Sequence, residues 1–232
     1  MVAATAAVTD RGSIQRVPPV ARQNRVDPFG VLFATPARGD LMGNRGGRFH
    51  DPGMRELPDT RRPWKSSRWI CCLTAFRGRH RQVWTTGYTE LFFLDEVTAL
   101  AAGHRPCFEC RRVEAKAFQA AMGAGQGGAA LASADAMDAI LQAERLDGRH
   151  KRLWLAQLDR LPDGAMIAVP AGAGRAAVAV RGDRLLPWTP GGWGKPLVRA
   201  NGAFVALLTP PAIVGALRAG YRPRWHASAD PA

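Results

Sequence analysis

Apolar and polar positions change their period partway along the chain. Residues 68–76, RWICCLTAF, form an apolar run of strand length, and residues 88–93, YTELFF, form a second. Asp95 then stands where an N-cap is needed, ahead of DEVTALAA, and Gly103 follows as the stop. Pro106 blocks any continuation. A helix is predicted over 110–122, with Val113, Ala117, Phe118 and Ala121 on one face. Residues 123–132, GAGQGGAALA, read as a linker, and Ser133 opens a third helix to about Leu146, closed by Gly148.

Beyond residue 160 the helical period gives way to short strands at 165–169, 175–180, 184–188 and 203–208. They are separated by the turn signals LPDG at 161–164, Gly182-Asp183 and Pro190-Gly191-Gly192. A last helix is predicted from about Pro211 to Ala219. Residues 1–26 have no periodicity, and residues 27–65 are rich in Gly, Pro and Arg, which predicts a long loop. The pattern therefore predicts an α+β fold in three parts. A flexible arm spans 1–26, a small strand/helix domain, zinc-binding as read from the cysteines it holds, spans 27–122, and a helix plus a β-rich C-terminal unit spans 133–232.

Composition adds a partner. In 232 residues, 32 Lys+Arg face 19 Asp+Glu, a net charge of +13. Arginine dominates, and its flat, always-charged fork suits phosphate, so nucleic acid is the expected partner, with DNA favoured. No run approaches the roughly 18 apolar residues of a membrane helix, and the first residues lack the form of a signal peptide; a cytoplasmic location is expected.

Four cysteines set the candidate chemistry: Cys71, Cys72, Cys107 and Cys110. Cys107-Phe-Glu-Cys110 lets two thiolates meet one ion from a single turn, and zinc completes a tetrahedron with two further donors. Neighbours on a strand point to opposite faces, so one of Cys71 and Cys72 is expected to reach the ion. Cys72, Cys107, Cys110 and His80 form the ligand set read from the sequence, with His104, His50 and His226 as alternatives to His80. ALAAGHRP at 99–106 is echoed by ALRAGYRP at 216–223, a helix stop used twice.

The stretch YTELFFLDEVTALAAGHRPCFECRR, residues 88–112, resembles the zinc-binding N-terminal domain of the bacterial Ada methyl-repair regulators, and the likeness extends loosely back to Trp69. The resemblance implies a small α+β zinc domain that touches DNA, with Cys107 and Cys110 as the downstream ligand pair. In that family an upstream C-x-x-x-C pair completes the site, and one of those cysteines takes a methyl group from a DNA phosphotriester. Here Cys71 and Cys72 are adjacent and lie inside the strand, and His80 is the residue near the family's upstream positions that can act as a ligand.

Other residues carry weaker chemistry. GNRGGRFHD at 43–51 joins glycines that admit a phosphate to Arg45 and Arg48, and His50 with Asp51 is a candidate base or second metal site for a metal-dependent nucleic-acid hydrolase. Arg77, Arg79 and Arg81 between two strands form a candidate phosphate clamp, joined by Arg105. Glu90 and Glu96 read as capping or surface residues. Trp188 and Trp193, in LLPWTPGGWGKP, read as the most exposed of the tryptophans that could stack on bases.

Overall fold

The computed structural model describes residues 21–79, 82–128 and 133–230. Its strands and helices, in chain order, begin with β1 (Arg25–Val26), β2 (Leu32–Phe33), β3 (Leu41–Arg45), β4 (Trp69–Leu73) and β5 (Leu91–Phe93). Helix α1 (Glu96–Ala101), β6 (Arg105–Pro106), α2 (Arg112–Gly125) and α3 (Ala134–Arg145) follow. Then come β7 (Leu146–Asp147), β8 (His150–Lys151), β9 (Trp154–Gln157), β10 (Met166–Ala171), β11 (Gly174–Arg181) and β12 (Arg184–Thr189). The chain closes with β13 (Gly192–Trp193), β14 (Leu197–Val198), β15 (Phe204–Leu207) and α4 (Pro211–Arg218). The α+β class expected from the pattern is what the chain adopts.

The first sheet has the order β2-β1-β5-β3-β4-β6. Its centre corrects the sequence reading. Residues 27–65 contain β2 and the whole of β3, whose five residues are all buried. The segment looked like a loop because LMGNR carries glycine, asparagine and arginine, residues that local propensity keeps out of strands. Gly43 belongs there for a packing reason: a Cβ on it would lie 2.2 Å from the Ile70 carbonyl oxygen of the neighbouring strand. The arm ends earlier than its reading, since Val26 in β1 is buried; residues 1–20 lie outside the described residues.

The helices follow their start and stop signals. Asp95 caps α1 by accepting from the Thr98 N–H, and Ser133 caps α3 by accepting from the Ala136 N–H. The predicted face of α2 is off by part of a turn. Ala115, Phe118, Ala121 and Met122 are its buried side chains, whereas Val113 is 81% exposed and Ala117 is exposed. The periodic match at 113 and 117 was an alanine-rich coincidence, and aromatic Phe118 fixed the true face. Helix α2 also continues through Gly125, into the segment read as a linker, where it crosses α4 so closely that a Cβ on Gly125 would meet Gly215 backbone at 2.5 Å.

The second sheet has the order β13-β12-β11-β10-β15-β9, with β14 beside β12. Period-2 alternation divides its faces. Ile167, Val178 and Val180 turn to one side, onto Leu100, Phe118, Met122, Leu141, Ile213 and Leu217 of the four helices. Met166, Ala168, Ala177 and Ala179 turn to the other, with Leu94, Val97 and Trp193. Both clusters combine residues from before and after 123–132, so the β-rich half and the cysteine-bearing half share their cores. The stretch DGRHKR, residues 147–152, contributes to the β7–β8 hairpin.

The stretch 185–196 corrects a second expectation. Trp193 is buried and its indole N–H donates to Asp95, while the Trp188 indole donates to the Thr98 hydroxyl. His226 donates its backbone N–H to the same Asp95 carboxylate. The hairpin therefore docks on the start of α1 instead of facing solvent. Glu96, read as a surface or capping residue, is buried and takes bonds from Arg111, the Tyr221 hydroxyl and the Arg224 N–H. Among the described residues no helix is long and apolar enough to cross a membrane.

Candidate metal centre

Strand alternation separates the adjacent thiols. Cys71 faces the core, pairs in register with Gly43 and Pro106, and accepts a bond from the Arg111 guanidinium at 3.2 Å. Burial pushes its thiol up to about 12. Cys72 faces the other way. Strand β6 runs parallel to β4, and the Cys107 N–H donates to the Cys71 carbonyl at 3.0 Å, which places the Cys-x-x-Cys turn beside Cys72. The Arg111 N–H closes that turn on the Cys107 carbonyl just before α2 begins.

The result is three sulfurs, of Cys72, Cys107 and Cys110, all within 4.8 Å of one another. Zinc–sulfur bonds of about 2.3 Å put tetrahedral sulfurs roughly 3.8 Å apart, so small side-chain rotations suffice to close on an ion. Two backbone donors point at the sulfurs, Glu109 N–H at Cys107 and Leu73 N–H at Cys110, each at 3.4 Å. Bonds from Cys110 and Cys72 pull the Cys107 thiol well below its ordinary range, while the same contacts push Cys72 and Cys110 upward. Without a cation, one thiolate is thus held by two thiols, and further deprotonation is opposed by charge. A divalent soft cation removes that opposition. The donor set is compatible with a metal ion on chemistry and on distance.

Of the histidines proposed beside the cysteines, His80 lies outside the described residues, as does Arg81. His104 is fully buried between Trp69 and Phe93, and its Nε2 accepts from Arg45. His226 turns its Nδ1 to Ser228. The two helix stops of the internal echo therefore do different work. The first leads into the cysteines, and the second returns the chain to Glu96 and Asp95 of α1.

His50 does not stand free as a base. It is buried, stacked on Trp84 at 5.3 Å, with Nδ1 bonded to the Thr89 hydroxyl and Nε2 to the Thr85 carbonyl. Asp51 is solvent-facing and paired with Arg61, whose hydrogen bond holds its carboxyl below the usual range. Neighbours in sequence, the two side chains have separate partners, which corrects their reading as a catalytic pair.

Two of the arginines assigned to phosphate also change role. Arg45 is 1% exposed and lies against Trp69, and Arg105 is buried with a two-pronged bond to Asp138 at 2.8 and 2.7 Å. Neither can meet a phosphate on the surface. Arg48, Arg77 and Arg79 are exposed. Arg79 pairs with Glu109 at 2.7 Å, and Arg77 lies over Phe76 with a left-handed backbone at φ 51°.

A cleft of about 170 Å³ opens beside the three sulfurs. Aromatic Phe76, Tyr88 and Phe92 and polar Asn44, Glu90 and Arg79 face it. Asn44 carries no assigned role within GNRGGRFHD and becomes a wall residue because β3 is a strand. Glu90, read as a surface residue, is buried; its carboxylate accepts from the backbone N–H of Trp84 at 2.9 Å. Trp84 itself is fully buried at φ 60°, a conformation that a bulky side chain adopts only when its surroundings enforce it. No protein-family model, no curated protein and no solved structure matches the chain.

Proposed function

We propose that this protein binds one zinc ion through Cys72, Cys107 and Cys110 and uses the clamped region to bind nucleic acid, with DNA favoured. The convergence of three sulfurs from two separate parts of the chain carries this reading. The ion ties strand β4 to the turn that opens α2, a use of Cys-x-x-Cys like that in the Ada domain which residues 88–112 resemble. The net charge of +13 and the exposed Arg48, Arg77 and Arg79 supply the phosphate affinity. Arg79 lies on the cleft beside the cysteines, so the charged and the metal-binding features adjoin.

Metal analysis of the purified chain tests the first half: one zinc per chain is expected, and absence of bound transition metal would overturn it. Binding of labelled duplex and single strands across a salt series tests the second. A steep loss of affinity with salt is expected, as phosphate contacts release counterions; a flat response would remove nucleic acid as the partner.

The cleft favours a second, enzymatic reading. A zinc ion with three protein ligands and a remaining position facing a cavity can polarise a bound group. Glu90 and Asn44 would then orient what the cleft holds. Cobalt-substituted protein separates the two uses. Visible bands that shift on adding imidazole mark an accessible position, and unchanged bands mark a closed structural site.

A further inference from the structure

A second cavity, of about 140 Å³, is lined by residues of β3, β4, the end of α3 and the β7–β8 hairpin, and the cysteines take no part in it. Its charged residues are graded in depth. Arg45 and Arg145 are 1% and 0% exposed, Lys151 is half-buried, and Arg149 and His150 are exposed at the mouth. The guanidinium groups of Arg45 and Arg145 both lie on Trp69, at 4.0 and 4.2 Å from its ring.

The hydrogen bonds of these cations go to neutral groups. Arg45 donates to the Gly30 carbonyl and to His104, Arg145 to the Gly103 and Ser67 carbonyls and to Gln142, Lys151 to the Ala101 carbonyl, and Arg149 to the Asp59 and Thr60 carbonyls. None of the four forms a salt bridge among the described residues, within which ten such pairs occur elsewhere. Carbonyl oxygens satisfy N–H groups but leave the charge uncompensated, and buried charge is costly unless paired. The nearby carboxylates redress the balance only in part. Asp27 acts through space on Arg45 and Lys151, and Asp138 on Arg145, but Asp138 is already bound to Arg105 and Asp27 forms no ion pair among the described residues. The cations depress one another as a result: burial first, then Arg145 and Arg45, bring Lys151 down to about 7. His104, whose Nε2 accepts from Arg45, has a buried Nδ1 with no hydrogen-bond partner.

We propose that this cavity is a binding site for a phosphate group, either free or at the end of a nucleic-acid strand. A tetrahedral dianion supplies the missing negative charge and accepts from several donors at once. The space suits it: 140 Å³ is several times the roughly 30 Å³ share of one water. The graded exposure gives an entry from Arg149 inward to Lys151 and the two buried arginines. The site is independent of the metal reading.

Calorimetry on the full metal-loaded chain tests the proposal, with inorganic phosphate titrated against chloride at matched ionic strength. Saturable one-to-one binding is expected. K151Q and R149Q, at the accessible end, are expected to weaken it about tenfold each, with unchanged far-ultraviolet circular dichroism and metal content. No phosphate binding beyond that of chloride, or binding by both variants as tight as that of the unsubstituted chain, would overturn the site. A pair of oligonucleotides with and without a 5′-phosphate identifies the source. Tighter binding of the phosphorylated strand, competed by inorganic phosphate, assigns a nucleic-acid terminus. Equal binding of the two, with phosphate bound alone, assigns the free ion.

Discussion

Cys71 and Cys72 differ by a single position, and the pleat of β4 gives them opposite fates. Cys72 joins two other sulfurs, while Cys71 sits in the core under Arg111 with its thiol held protonated. C72S is therefore expected to lower the bound metal measured by elemental analysis, whereas C71S leaves it near one per chain and lowers stability. Equal metal loss in both variants would contradict the pleat argument. Asp27 offers a pH test at the same scale. Burial raises its carboxyl to about 6, against an ordinary value near 4. The native state thus holds this proton more tightly than the unfolded chain between roughly pH 4 and 6, so its contribution to stability falls as pH rises through that window. D27N removes the proton from the balance and is expected to gain on the wild type from pH 4 to pH 7 in urea unfolding, in chloride buffer. A constant difference between the two proteins across this range would count against the burial cause.

Among elements, the start of α1 has the widest reach. Its cap, Asp95, accepts from Thr98 N–H and hydroxyl with one oxygen and from Trp193 and His226 with the other. One carboxylate thereby starts a helix, anchors the β12–β13 hairpin and fixes the C-terminal segment. Asparagine preserves the cap but turns a donor toward one of these sets of N–H groups. D95N is expected to cost about 2–4 kcal/mol in chemical unfolding, well above the ~1 kcal/mol of an isolated cap. A loss no greater than that of S133A, which removes only the α3 cap, would reduce Asp95 to a local role.

For the molecule as a whole, an ion held as proposed would staple strand β4 to the β6–α2 junction, and α2 packs in turn on α4 and the second sheet. Chelation is therefore expected to lower the thermal midpoint of the chain, because an ion bound by the native state alone stabilises it by mass action. Zinc restored to the chelated protein should recover the midpoint. A chelated chain that melts unchanged would show that the cores hold without the clamp. Acid should act in the same direction as chelator, since protons compete for the three sulfurs of the proposed site.

The sequence by itself determined the four helices, the caps of α1 and α3, strands β10, β11, β12 and β15 and the Cys-x-x-Cys turn. These rest on local chemistry: a side chain bonding its own backbone two or three residues on, a period of two, a ligand spacing of three. Asp95, Ser133 and Cys107 with Cys110 were legible for that reason. Tertiary structure alone decided the rest. Strand β3 is a strand because Gly43 admits the Ile70 carbonyl at its flank. Arg45 and Arg105 are interior residues because Trp69 and Asp138 receive them. His50 is a bonded core residue because Thr89, 39 residues away in neither motif nor period, reaches its ring. Charge and residue type reveal what a side chain can do. Whether it faces water or a partner depends on which distant segment packs over it, and that is a property of the folded whole.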